Sequence, residues 1–293
     1  MIRFTSSVVT RRRCFTVLSC SSASLWAGAA TAAPSAPPST SKQGKSVKGR
    51  RIDNQLPPAV QLQFMRPSQI EVAARRFPVV YVPFGTIEWH GRHLPVGCDA
   101  IKAHGILVKC AEKYGGVVHP PIYFHDGFPR EHLEPLLTRL FNRLKLMGFR
   151  VIMGVSGHNV KGQIAMVEAA LKPVTADGSI AGIGAWEMSL TDSKETGSDH
   201  AASWETSDMQ FLYPDTVDLA ALGTGPIKLD MSKPDGIGGL DPRLHASAKK
   251  GARNVELCAD AIGLKARELL NALPVDKREF GLKSVSSENW WSI

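Results

Sequence analysis

The chain has few cysteines and no pattern among them. Cys14 and Cys20 fall near the start, and Cys98, Cys110 and Cys258 are an odd remainder without C-x-x-C spacing. Such a set builds no disulfide framework. Cys98 adjoins Asp99 and reads as a small residue in a tight loop. Acidic residues are missing from the first 52 positions, since none precedes Asp53. Arg3, Arg11, Arg12, Arg13, Lys42, Lys45, Lys48, Arg50 and Arg51 all lie in that stretch, against a formal net charge of +8 for the chain. The positive charge therefore belongs to the tail, and the rest is near neutral. It gives no argument for nucleic-acid binding. There is no internal repeat. No run is apolar enough for a good membrane span, because residues 14–33 are rich in Ser and Ala where Leu, Ile and Phe would be needed.

What that N-terminal stretch does offer is a leader pattern. Arg11-Arg12-Arg13 precede a mild uncharged segment, and Ala30-Thr31-Ala32 is a small-x-small cleavage site. Residues 1–32 are therefore expected to be a secretory signal of twin-arginine type. The mature protein is then periplasmic or secreted, with no membrane attachment after processing. Residues 33–55, rich in Pro, Ser and Lys, are expected to form a disordered linker.

Residues 56–293 are long enough for one domain with a full core. Apolar strand-length runs alternate with helical patterns. The expected pairs are strand 79–84 with helix 100–113, strand 117–124 with helix 131–146, strand 151–155 with helix 162–172, and strand 183–190 with helix 204–212. A last helix is expected over 246–270. The implied fold class is α/β, a single domain whose mostly parallel central sheet is flanked by helices. Leu136, Leu140, Phe141 and Leu144 fall at helical spacing and are expected in the core. Trp290-Trp291 is expected to pack against a neighbouring subunit.

Five residues carry the chemistry. Glu88, His90 and Asp99 lie in Gly85-Thr-Ile-Glu-Trp-His-Gly-Arg-His-Leu-Pro-Val-Gly-Cys-Asp99, His158 in Ser156-Gly-His-Asn159, and Glu205 in Asp199-His-Ala-Ala-Ser-Trp-Glu-Thr-Ser207. Carboxylates and imidazoles are the donors of hydrolytic Zn²⁺, Mn²⁺ or Fe²⁺ sites. Glu88 and His90 follow a strand and stand two apart, so in extended backbone they point to one side. His158 follows a second strand. Ligands of open α/β sheets bind beyond the carboxyl ends of strands. Asp99 has two oxygens and can bridge two metals.

These segments resemble the creatininase family of metal-dependent amidohydrolases. The first matches the family's G-[ST]-x-E-Q-H-G-P-H-L-P-x-x-x-D in order and spacing. Gly148-Phe-Arg150 and Ser156-Gly-His158 resemble the G-F-[RK] and N-G-H segments that flank a strand. His200-Ala-Ala-Ser-Trp-Glu-Thr-Ser207 resembles H-A-G-x-x-E-T-S. Tyr213-Pro-Asp-Thr-Val217 and residues 236–251 complete five blocks in order.

The resemblance implies a creatininase-like metal hydrolase that cuts a non-peptide C–N bond of a small-molecule amide, such as a cyclic amide, lactam or formamide. The alternatives are a metal-dependent peptidase of the kind used in peptide-cofactor maturation, and a non-catalytic exported binding protein. The implied cofactor is a divalent metal, Zn²⁺ first, then Mn²⁺ or Fe²⁺, as one or two ions. Glu88, Asp99 and His158 would hold one ion, and His90, Asp99 and Glu205 another. His200 is the implied proton shuttle, and Glu205 joins it as a candidate catalytic residue. His93 is expected to orient Glu88 or its loop. A homo-oligomer, hexameric in the family, is also implied.

The departures are Trp89 for Gln, Arg92 for Pro, Ala202 for Gly, and Asn159-Val160-Lys161 for Gly-Gly-Asn. Val160 stands where creatininase-like members carry a second-metal Glu. Trp89 and Arg92 are expected to shape the pocket, and Arg92 to suit an anionic substrate group.

The leader pattern generates a prediction. Replacing Arg12 and Arg13 together by Lys blocks the appearance of processed protein in the periplasm, scored by immunoblot of cell fractions. Unimpaired processed protein points to the general secretory route.

Overall fold

The computed structural model describes residues 60–124, 128–227 and 235–281. The expected leader, the linker and Trp290-Trp291 lie outside the described residues.

β1 (Val79–Thr86) is the strand on which the rest is built. All eight of its residues are buried. Branched and aromatic side chains suit a strand covered on both faces. β1 pairs in parallel with β2 (Val117–Val118), β3 (Ile122–Phe124) and β4 (Val151–Ser156), and β4 pairs in parallel with β5 (Ala181–Trp186). The spatial order is β2-β1-β4-β5, with β3 continuing beside β1. The strand expected over 117–124 is thus two short strands. His119-Pro120-Pro121 separates them, because proline lends no N–H to a ladder.

Helices cover both faces. α1 (Pro67–Arg76) precedes β1, and α2 (Cys98–Tyr114) follows it. α3 (Arg130–Leu146) and α4 (Lys161–Thr175) pack on one face, around Val80, Val82, Phe84, Phe141 and Val167. On the other face, α2 and α7 (Ala248–Ala272) bury Val79, Tyr81, Ile106, Leu107 and Ile262. α5 (Ser203–Leu212) lies against α7, and α6 (Pro242–His245) precedes it. The helix expected from 246 begins at 248 because Ser247 caps it, its hydroxyl accepting the N–H of Lys250. Leu140, Phe141 and Leu144 pack into the core as expected. Leu136 does not: it is 61% exposed, and Leu137 at 2% takes the inward place.

This α/β architecture brings the ends of β1 and β4 against the start of α2. Two glycines permit that approach. A Cβ on Gly85 would lie 2.2 Å from the backbone nitrogen of Ala100, and one on Gly157 would lie 2.1 Å from the carbonyl oxygen of Asp99. Neither neighbour can move without moving the N-terminus of α2. Gly157→Ala is therefore expected to cost about 1–3 kcal/mol of stability, read as a lowered urea midpoint. It also weakens metal retention, since Asp99 shifts with its backbone. An unchanged midpoint and unchanged metal content would remove the glycine from this role.

Candidate metal centre

Three peptide segments deliver donors to one point. The loop after β1 carries Glu88 and His90, and Asp99 sits in the first turn of α2. β4 ends at Ser156, and His158 follows after the obligatory Gly157. The Ser156 hydroxyl accepts the N–H of His158 at 3.0 Å and bonds Gln163, which fixes the turn. His200 and Glu205 flank the start of α5, where His200 is held by a bridge to Gly238. All five residues expected from the sequence converge, and His200 with them.

Asp99 occupies the middle. Its Oδ1 lies 3.0 Å from His90 Nε2, and its Oδ2 lies 3.1 Å from His158 Nδ1. The backbone N–H of Thr86, at the end of β1, donates to Oδ2 at 3.2 Å. Glu88 Oε1 is 2.9 Å from His158 Nδ1, 3.8 Å from His200 Nδ1 and 3.9 Å from His90 Nε2. Glu205 Oε2 is 3.5 Å from His90 Nε2. The rings of His90 and His200 lie 4.7 Å apart.

The electrostatics are those of a site that wants positive charge. Burial works against a charged His90, yet Glu205 and Asp99 outweigh it and raise its pKa to about 9. Burial likewise opposes a charged His158, and Asp99 with Glu88 carries it to about 10. Asp99 goes the other way. Burial alone would raise it, but His158 and His90 hold it well below the usual carboxylate range. A metal ion and these imidazole protons compete for the same carboxylates.

Beneath the donors lies a cluster that the sequence reading missed. Lys102 is 1% exposed at its side chain, with Nζ 2.7 Å from Glu205 Oε1 and 3.0 Å from Glu187 Oε1. Burial opposes its charge, but Glu187 and Glu205 keep its pKa well above normal. Burial, against the pull of Lys102, raises Glu187. Glu187 directly follows β5, and Lys102 stands three residues after Asp99 on α2. Their places, though not the burial of Lys102, had a signal. One is a third strand end, and the other shares a helix face with Asp99. Below them the amide of Asn254 donates to both oxygens of Asp208, whose pKa burial pushes far up.

Several expectations change. His93 does not reach Glu88. Its Nε2 bonds Thr206 Oγ1 at 2.9 Å and so braces α5 beside Glu205, while burial, reinforced by the neighbouring His90, lowers its pKa to about 4. Arg92 places its guanidinium 3.0 Å from Asp235, so that charge is already matched at the surface. Ala202 is comfortable at φ −105°, and the strain sits one residue earlier, at Ala201 with φ 52°. That twist aims the N–H of Ala201 at Glu205 Oε2, 2.7 Å away. Val160 caps α4 and donates no ligand atom from its side chain. It lines a cavity of about 290 Å³ with Thr86, Phe124, Phe128, His158 and Met166.

The donors fit a divalent ion. Among the described residues, Glu88, Asp99 and His158 present ligand atoms within 4.8 Å of one another, as do Glu88, His90 and His200, and His90, Cys98 and Glu205. Glu88 Oε1 is buried and receives no aligned hydrogen bond despite its nearness to His158. Such an atom is satisfied by a cation. Oxygen and imidazole donors suit Zn²⁺, Mn²⁺ or Fe²⁺.

The sequence model of creatininase, described as creatinine amidohydrolase, matches residues 63–263. The chain belongs to the creatininase family. Within it, the chain is 30% identical over 171 residues to the mycofactocin precursor peptide peptidase of Mycolicibacterium smegmatis, covering 51% of this chain and 65% of that one. The chain thus spans slightly under two thirds of that relative's length. It is 23% identical over 231 residues to the creatinine amidohydrolase of Pseudomonas putida, covering 65% of this chain and 89% of the relative. A crystal structure of creatinine amidohydrolase shares the fold at a TM-score of 0.57 and 20% identity, covering 72% of this chain and 98% of that one. A structure titled "Creatininase Mn" does so at 0.55 and 21%, over 71% and 98%.

The geometry of this creatininase-family centre predicts that His158→Ala loses most bound metal. Elemental analysis of the purified variant against the parent checks it. Stoichiometric metal in the variant sinks the assignment of His158.

Proposed function

We propose that the protein is a metal-dependent hydrolase of an amide C–N bond, acting on a small-molecule amide. One observation supports this most: Asp99, fixed by the N–H of Thr86, faces His158 and Glu88 across a gap of ligand size, beside an open cavity. Glu88, Asp99 and His158 would hold the ion, Zn²⁺ first and Mn²⁺ or Fe²⁺ next. When bound, the ion supplies a Lewis acid for the amide carbonyl and acidifies water.

The chain's own residues do the rest. Phe124, Phe128, Val160 and Met166 give the cavity apolar walls that receive the organic part of the substrate. Trp89, between Glu88 and His90 in the loop after β1, is 60% exposed and offers a flat apolar face. His200 Nδ1, 3.8 Å from Glu88 Oε1, sits where it can pass a proton to the leaving nitrogen. Glu205 is held from both sides and keeps the negative field under His90.

A peptide bond is the second reading. It is favoured by the 30% identity to the mycobacterial peptidase. The leader pattern in residues 1–32 supports action outside the cytoplasm, and the family resemblance supports a homo-oligomer.

The test is release of amine from a panel of cyclic amides, formamides and short peptides, with and without chelator. Turnover of the small amides, abolished by chelator and restored by metal, supports the first reading. Turnover of peptides alone transfers it to the second. His200→Gln is expected to keep its metal while kcat falls by roughly 10²–10⁴. Loss of metal in that variant would make His200 a ligand instead.

A further inference from the structure

We propose that this centre takes one divalent ion per chain, on Glu88, Asp99 and His158, and that the buried ammonium of Lys102 takes the place of a second cation against Glu205. The inference rests on the metal reading above and sharpens it.

Of the donor group formed by His90, Cys98 and Glu205 on the far side of Asp99, His90 and Glu205 are already engaged by the protein. Glu205 Oε1 accepts from Lys102 Nζ and Oε2 from the N–H of Ala201, each at 2.7 Å. His90 has Nε2 on Asp99 Oδ1 at 3.0 Å and Nδ1 on the Glu88 carbonyl at 3.2 Å. The near side differs: Glu88 Oε1 is buried there without an aligned hydrogen bond. The loop after β4 adds nothing to the far side, because Val160, the second residue past His158, has no donor in its side chain.

Lys102 explains how the far side stays neutral enough to fold. An ammonium has three donors and no acceptor, so it satisfies carboxylates and ligates no metal. It is covalently fixed to α2, three residues past Asp99, and wedged between Glu205 and Glu187. A divalent ion on Glu205 would have to share that carboxylate with a fixed like charge. Asp99 would then hold the single ion with Glu88 and His158 while its Oδ1 keeps the contact with His90. His90 becomes a positioning residue for Asp99, acting through the hydrogen bond between them.

The experiment is a metal count on the full chain. The purified protein is loaded with excess Zn²⁺, and separately Mn²⁺, then desalted and measured by mass spectrometry against amino-acid analysis. One ion per chain is expected. Two ions overturn the inference and leave the hydrolase reading standing, whereas none overturns both. The double variant Lys102→Met with Glu187→Gln removes the ammonium together with one of its two carboxylate partners and frees Glu205 Oε1. Its count is expected to rise toward two, and a count still at one overturns the role given to Lys102. Should circular dichroism show that variant unfolded, Glu205→Gln decides. One retained ion supports the inference, and loss of that ion overturns it.

Discussion

Asp99 divides its two oxygens between His90 and His158, and much of the architecture serves to hold it there. The carboxylate is buried, so it is tolerable only with cationic or hydrogen-bonding partners. Its partners come from the loop after β1, the turn after β4 and the backbone at the end of β1 itself. Each can be in place only if β1 and β4 are paired and α2 starts directly above them. The close approaches at Gly85 and Gly157 are the steric condition for that.

The sheet was legible because its strands are short apolar runs separated by helical patterns. The fold class, the flanking helices and the strand-end placement of Glu88, His90 and His158 follow from periodicity and from the rule for open parallel sheets. Asp99 and Glu205 stood out by donor chemistry, and the family likeness supplied their grouping as ligands and the role of His200. Periodicity failed where two side chains compete for one direction. Leu136 and Leu137 are both apolar, and only the packing of α3 on α4 decides that Leu137 turns inward. It failed again at 117–124, where two adjacent prolines outweigh the branched residues on either side.

Lys102 shares a helix face with Asp99, but its burial was hidden for a different reason. A lysine inside a helix reads as part of a solvated face, since an unpaired lysine is almost never buried. Its burial depends on Glu187 and Glu205, residues 85 and 103 positions away, so no window of the sequence contains the justification. Removing one member of such a buried set is expensive, because it strands the others, whereas the complete set gives modest net stability. The arrangement thus says more about what the site must contain than about how firmly the domain is folded.

The all-parallel pairing of β1, β3, β4 and β5 has a consequence for the order of events. Parallel neighbours cannot be joined by a tight turn, so each pairing waits for a crossover helix to dock. Glu88, His90 and Asp99 are near neighbours along the chain, but His158 joins them only after the second crossover is complete. The set of Glu88, Asp99 and His158 is therefore incomplete until β4 is in place. An ion taken up by the finished centre acts instead as a late clamp across β1 and β4, drawing the equilibrium toward the folded protein by binding that state alone.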